Sequence, residues 1–215
     1  VKENSSGLTD NLKLKNISLS LYDKKQKKVI FNDFGELIFT DYGVRGALVL
    51  SASSYMGKIK KGRYEIRIDL KPGLSREKLD HRLRQDFARY SRKMFKNTLS
   101  DLLPVKLIPV FIKLSSISPQ KRANQINRRE REDLLNLFKK LKLQVSGYRP
   151  LREAIITSGG VDVKEIDPTT MNSKIIKNLY FAGEIMDVDA LTGGYNLQIA
   201  FSTGYAAGFY AASGR

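Results

Sequence analysis

The residues best suited to chemistry lie late in the chain, in the run NLYFAGEIMDVDALTGGYNLQ at positions 178–198. An apolar stretch delivers Gly183 and Glu184 to its C-terminal edge, the edge at which ligands bind in open α/β sheets. Glycine has no Cβ and lets a ligand approach the backbone closely. Glu184 can accept hydrogen bonds from hydroxyls such as those of a ribose or ribityl chain. Thr192, Gly193 and Gly194 stand just ahead of a helical pattern, and a helix opens with free N–H groups and partial positive charge. That end suits an anion or an electron-rich carbonyl. Alone, Gly193-Gly194 reads as an ordinary loop before a helix; combined with the Gly183-Glu184 turn, the ligand-binding reading is preferred.

Other candidates are weaker. Asp187 and Asp189 could act as acids or bases, but a role in the polar loop approaching the helix is preferred. His81, the one histidine, sits at the edge of an apolar helical stripe with no evident partner and reads as structural. No side chain stands out as a catalytic acid or base, so the catalytic residue is unassigned. With no cysteine, the chain offers no disulfide, zinc–thiolate site, iron–sulfur cluster or thiol redox centre, and no metal site is expected. Ala200, Gly204 and Gly208 recur at four-residue intervals and read as a small face for close packing.

The elements that must position these residues follow from periodicity. Residues 12–22 alternate apolar and polar as a half-buried strand does, KKQKK at 24–28 reads as a charged turn, and VIFND and GELIFTD read as two further strands of an antiparallel meander. Residues 44–55 predict a short packed helix, and YEIRIDL at 64–70 another strand. Ser75 is a good N-cap for a long helix over 76–96, with Leu79, Leu83, Phe87, Tyr90 and Met94 in one stripe. Two short helices are expected at 98–103 and 105–114, split by Pro104. Asn127 with Glu130 resembles a capping box opening a helix to Leu141, with Leu134, Leu137, Phe138 and Leu141 inward. Beyond 143, LQVSGYR, EAIITSGGV and NLYFAGE read as strands, and a long helix follows from Asn196 to Ala212.

Charge divides the chain as well. Residues 151–215 carry 5 Lys+Arg and 7 Asp+Glu, whereas residues 1–150 carry 33 and 15, a net of +18. Such an excess can serve nucleic-acid binding, the rival functional reading, but no nucleic-acid motif accompanies it. A solvated basic surface is preferred, and nucleic acid is not an expected partner. No apolar run approaches the roughly 18 residues of a membrane span. The start, VKENSSGLTD, is polar and unlike a signal peptide, so a cytoplasmic chain is expected.

The run LYFAGEIMDVDALTGGYNLQIAFSTGYAAG resembles the C-terminal flavin-binding signature of a bacterial FAD-dependent oxidoreductase family, labelled aminoacetone-oxidase-like or NAD(P)/FAD-dependent oxidoreductase. The preceding EAIITSGGVDVKEIDPTTMNSK is similar to the stretch before that signature, and the elements of 12–142 are similar in order to the family's inserted domain. The resemblance implies FAD as cofactor, NAD(P)H as a candidate electron donor, and hydride transfer to or from a small organic substrate. By motif, Gly183 and Glu184 would contact the ribityl–pyrophosphate region of FAD. Thr192, Gly193, Gly194, Tyr195, Asn196, Leu197 and Gln198 would lie along the flavin, and Thr157, Gly159, Gly160 and Val161 would wall the isoalloxazine. The implied fold class is α+β: a β-rich and helical insert domain at 1–142, then at 143–215 a partial α/β FAD-binding layer of glutathione-reductase type. The phosphate-binding motif G-x-G-x-x-G, which opens the Rossmann helix in such folds, does not occur in the chain. The expectation is therefore a fragment whose partner is a Rossmann segment N-terminal to Val1, inactive alone. A non-catalytic dinucleotide-binding domain is the blander alternative.

Overall fold

The structure is a computed structural model that describes residues 11–57, 59–60 and 62–213. The chain divides into two compact units, the first running through Gly147 and the second beginning at Tyr148. It is a mixed α/β protein, with a curled antiparallel half-barrel sheet and five α-helices among the described residues.

The first unit is built on the central strand of that sheet. Strands β1 (Lys13–Asp23), β2 (Lys28–Thr40), β3 (Gly43–Arg45), β4 (Tyr64–Asp69) and β5 (Leu141–Gln144) lie in the order β3-β2-β1-β4-β5. Ile17, Leu19 and Leu21 of β1 alternate with half-buried Ser18, Ser20 and Tyr22, so one face of the strand enters the core. β1 pairs antiparallel with β2 on one side and β4 on the other. At its end Asp23 is fully covered. It accepts from the N–H groups of Lys25 and Gln26 and pairs with Arg63 at 2.7 Å. The Arg63 hydrogen bond, working against burial and helped by the two backbone donors, holds the Asp23 carboxyl below its usual range.

Helices cover the core face. α1 (Ala47–Ser54) follows β3 and buries Leu48 and Ala52. α2 (Arg76–Arg89) starts where Ser75 accepts from the Lys78 N–H and buries Leu79, Leu83 and Phe87. α3 (Ile108–Ser115) and α4 (Arg128–Lys139) meet through the rings of Phe111 and Phe138, 4.9 Å apart. α4 opens in a reciprocal capping box: Asn127 accepts from the Glu130 N–H and Glu130 from the Asn127 N–H, both at 2.9 Å. Arg131 ties α4 to Asp80 of α2 at 2.7 Å.

Several expected elements differ. The two strands read at 29–40 are one strand, β2, which passes through Gly35 without a break. A Cβ at Gly35 would stand 3.2 Å from the Leu48 side chain, so this glycine admits α1 and does not mark a turn. α2 ends at Arg89, not at 96; the chain then extends so that Met94 bridges Arg122, and Met94 is exposed, outside the stripe. No helix forms at 98–103, where the chain runs in turns, and helix resumes only after Pro104. Leu141 belongs to β5, opposite Ile68, and not to α4. Residues 145–149 lie outside that short strand.

The second unit has less regular structure. The expected strands at 153–161 and 178–184 do not form; isolated bridges join Val161 to Met186 and Asn172 to Tyr180. Neither stretch has a neighbouring strand among the described residues to complete a ladder, and backbone groups are met by single bridges and short 3-10 turns instead. α5 (Tyr195–Ser213) is the one long element. A small core of Ile166, Met171, Met186 and Ala207 holds it, while Leu197, Phe201, Tyr205 and Phe209 are exposed along its length. Among the described residues no helix is long and apolar enough to cross a membrane.

Two outcomes follow for the first unit. Because the Asp23 pKa is lowered by folding, its stabilising effect is present above the unfolded-state value of about 3.9 and is lost as pH falls through the lower folded value. Melting temperature should therefore drop on acidification through that window. Asp23→Asn should melt lower at neutral pH and with a shallower acid slope, as followed by circular dichroism. Asn127→Ala should lower the free energy of unfolding by about 1 kcal/mol in urea titrations, the usual cost of a lost N-cap.

Candidate functional site in the second unit

Two backbone stretches and a helix start assemble the site. The first stretch, 157–161, lies beside the second, 184–189. The Val161 N–H donates to the Ile185 carbonyl at 2.9 Å, and the Asp187 N–H donates to the Val161 carbonyl at 2.8 Å. Gly160 makes this approach possible. Its φ is +150°, and a Cβ there would fall 2.3 Å from the Ile185 carbonyl oxygen and 2.9 Å from the Met186 carbonyl carbon. Backbone atoms cannot swing aside as a side-chain tip can, so only glycine fits.

Glu184 closes the arrangement. The Thr157 N–H and Oγ1 both donate to its Oε1, at 2.5 and 2.6 Å. The Thr157 hydroxyl, then its N–H, hold the carboxyl below the usual glutamate range, and the side chain stays exposed. Oε2 has no hydrogen-bond partner among the described residues. Further along, Ser158 Oγ donates to Asp189 at 3.2 Å, which gives Asp189 a loop-fixing contact.

The helix start is fixed separately. Gly183, with φ +69°, opens the 3-10 turn that carries Glu184; its N–H donates to Thr203 Oγ1 of α5 at 3.0 Å, and a Cβ on it would stand 3.6 Å from that of Ala200. Asn196 accepts from the Ala190 N–H and donates to the Ala190 carbonyl, both at 2.8 Å, pinning the 190–196 loop to the first turn of α5. Gly193 and Gly194 have φ of +140° and +87°, left-handed backbone that leads into the helix. A Cβ on Gly194 would meet nothing within 4 Å and would point into open space. The N–H groups of Gly193 and Gly194 have no acceptor among the described residues.

The structure thus brings Thr157, Gly159, Gly160 and Val161 to Gly183 and Glu184, and joins Gly183 to α5. It gives several of these residues internal work that sequence reading did not assign. Asn196 is engaged with Ala190, Gln198 donates to Ser202 at 2.9 Å, and Gly160 packs on Ile185. Tyr195 and Leu197 are exposed beside the loop. Thr203 and Ser158 were missed. Thr203 is the one threonine on an otherwise largely apolar helix, and that is the signal that could have found it. Gly204 and Gly208 face open space, so within this unit Ala200, not these glycines, makes the close approach. His81 is exposed on α2 in the first unit. Chemically the site offers free N–H groups and a helix start for an anion or carbonyl edge and, on the turn that Gly183 joins to α5, one free carboxylate oxygen for hydroxyls. These groups fit the pyrimidine edge and the polyol of a flavin.

The family described as HI0933-like protein barrel and H2TH domain matches residues 6–156. The chain is 32% identical over 191 residues to a 3-dehydro-bile acid delta(4,6)-reductase of Clostridium scindens, covering 86% of this chain and 46% of that protein. It is 34% identical over 170 residues to the ribosomal RNA dihydrouridine synthase of Escherichia coli, covering 79% and 40%, and 33% identical over 173 residues to that of Haemophilus influenzae, covering 80% and 41%. The chain therefore spans less than half the length of these curated relatives. Each alignment covers more residues than precede Thr157, so each runs on into the part of the chain that holds the site.

Gly160→Ala tests whether this geometry holds the site together. It should cost more than the roughly 1–3 kcal/mol of ordinary overpacking, because backbone rather than side chain must move. Limited proteolysis should cut within 157–189 much faster than in the parent chain, while the melting transition of the first unit is unchanged. Parent-like protection of that stretch would contradict the packing described.

Proposed function

The chain belongs to the HI0933-like family, and from that membership and the site geometry we propose that it carries part of the flavin site of an FAD-dependent oxidoreductase. The relatives named as a reductase and as dihydrouridine synthases support oxidoreductase chemistry. Both names describe adding hydrogen across a carbon–carbon double bond, and we extend that reaction class to this protein. The observation that carries the reading is the turn Gly193-Gly194 at the start of α5, with unmet N–H groups and open space above it, on the helix that Gly183, the neighbour of Glu184, joins through Thr203.

In this reading Gly183 and Glu184 meet the ribityl–pyrophosphate region, with Glu184 Oε2 as the hydroxyl acceptor and Oε1 kept in place by Thr157. The N–H groups of Gly193 and Gly194 and the positive end of α5 face the pyrimidine edge, where they favour negative charge. Tyr195 and Leu197 lie beside the ring system, while Asn196 and Gln198 serve by fixing the loop and the first turns of α5. The backbone of Thr157, Gly159, Gly160 and Val161 forms the wall near the isoalloxazine. When bound, the flavin supplies hydride transfer, with NAD(P)H the proposed electron donor. The first unit is the insert, the second the part of the flavin domain to which the chain returns, and the protein acts in the cytoplasm. Because this share of the site is an open face, the 215-residue chain alone holds FAD weakly and is inactive. The specific aminoacetone-oxidase-like assignment is the finer form of the same proposal.

The substrate is a small molecule, as for the bile-acid relative, or an RNA base, as for the ribosomal RNA relatives. The net +18 of residues 1–150 favours the polyanion.

The test uses the protein encoded by the intact gene. Gly194→Val should lose flavin on desalting, measured by absorbance, since its side chain would occupy the space open above the turn. Glu184→Ala should weaken binding about ten- to a hundredfold, as loss of a charge-assisted hydrogen bond costs about 1.5–3 kcal/mol. A folded Gly194→Val protein with stoichiometric FAD would return this turn to a packing role.

A further inference from the structure

Charge in the first unit is neutralised unevenly. On the sheet and along α2 and α4 many basic side chains have carboxylate partners, among them Arg63 with Asp23, Arg67 with Glu65 and Lys139 with Asp69. Two surfaces differ. One is the KKQKK turn at 24–28, where Lys25, Lys27 and Lys28 are exposed with no carboxylate partner among the described residues. The other is formed by the segments 89–97 and 118–129, which contain eight Lys and Arg and no Asp or Glu; of these, Lys121 pairs with Glu130 and Arg128 with Glu132. The two segments lie side by side and antiparallel: the Phe95 N–H donates to the Lys121 carbonyl at 2.8 Å, the Ala123 N–H to the Lys93 carbonyl at 3.0 Å, and Met94 bridges Arg122. Phe95 and Ala123 are buried beneath, which anchors both segments to the core. Arg92, Lys96, Arg122 and Arg129 are exposed and have no carboxylate partner among the described residues. Lys93 lies over the Tyr90 ring at 4.2 Å.

We propose that this two-segment surface docks the phosphate backbone of structured RNA. Unpaired cations held on a rigid, core-anchored scaffold lose little freedom on meeting phosphates, and each phosphate neutralised releases counterions. The exposed side chains of Asn97, Asn124 and Gln125 add neutral donors and acceptors suited to 2′-hydroxyls, the groups that mark RNA. No exposed apolar stripe accompanies the charge, as an interfacial membrane surface would require. Sequence reading set nucleic acid aside for want of a motif; the placement of unpaired charge reverses that preference. The inference deepens the RNA arm of the functional reading, and its test needs no flavin, so the two can fail separately.

The test is fluorescence anisotropy of the full 215-residue chain with a fluorescein-labelled RNA hairpin of about 16 base pairs, the span of a duplex-RNA module, across a salt series. The chain should bind with affinity that falls steeply with salt. Arg92→Glu/Lys96→Glu/Arg122→Glu should lose at least about tenfold, and its salt slope should shrink by about 2–3, near one unit for each phosphate left without its cation. A control with the same charge change on β1, β2 and the turn between them, Lys15→Glu/Lys25→Glu/Lys28→Glu, should keep most of the affinity. The glutamine version of the first triple, which adds no negative charge, should also bind more weakly, with an unchanged melting curve. No binding by the parent chain, a salt-independent affinity, or equal losses in the two glutamate triples would overturn the proposal. An equimolar DNA duplex of the same sequence should compete less well than RNA; equal competition would overturn the 2′-hydroxyl argument.

Discussion

The carbonyl of Ile185 lies where a side chain on residue 160 would have to be, and the second unit is arranged around that contact. With Gly160 in place, Val161 can bridge Met186, and the two stretches run alongside each other for several residues. That registration carries Thr157 to Glu184, so the carboxylate finds both a hydroxyl and an N–H donor without any regular strand. Gly183, one residue before Glu184, then hands the same turn to α5 through Thr203. A unit with a small apolar core thus relies on backbone contacts and side chain-to-backbone bonds to keep a polar site in one shape.

The first unit is organised on a different principle. Its central strand buries three aliphatic side chains on one face and ladders on both edges, so its register is set by the core. The half-barrel and the helices over it form a large core that needs no help from the basic surface. Along 89–97 and 118–129 Lys121 and Arg128 are paired with Glu130 and Glu132, while Arg92, Lys96, Arg122 and Arg129 have no carboxylate partner among the described residues, although backbone hydrogen bonds join the two segments.

Much of this was readable in advance. The alternation of 12–22, the N-cap at Ser75 and the capping box at Asn127–Glu130 correspond to β1, α2 and α4, because each is a local pattern whose energy is spent within a few residues. The glycine pair at 159–160 was singled out by the family resemblance, and that at 193–194 by its place before a helix together with the Gly183-Glu184 turn. Ends and breaks were less legible. Tyr90 and Met94 continue the helical stripe of α2, yet the chain leaves the helix at Arg89 to pair with 121–123, a partner more than 20 residues away. Gly35 opened the second of two expected strands and is a gap for Leu48 within one.

By itself the sequence determined β1, the capped starts of α2 and α4, and the asymmetry of charge between residues 1–150 and 151–215. Only the tertiary structure decided that NLYFAGE is not a strand, since a strand needs a neighbour to satisfy its backbone and the described residues supply only a bridge at Tyr180. It also decided that Glu184 shares its carboxylate with Thr157, that Asn196 holds its own loop, and which cations go unpaired. Each of these depends on the distance between atoms far apart in the chain, and periodicity and composition carry no record of such distances.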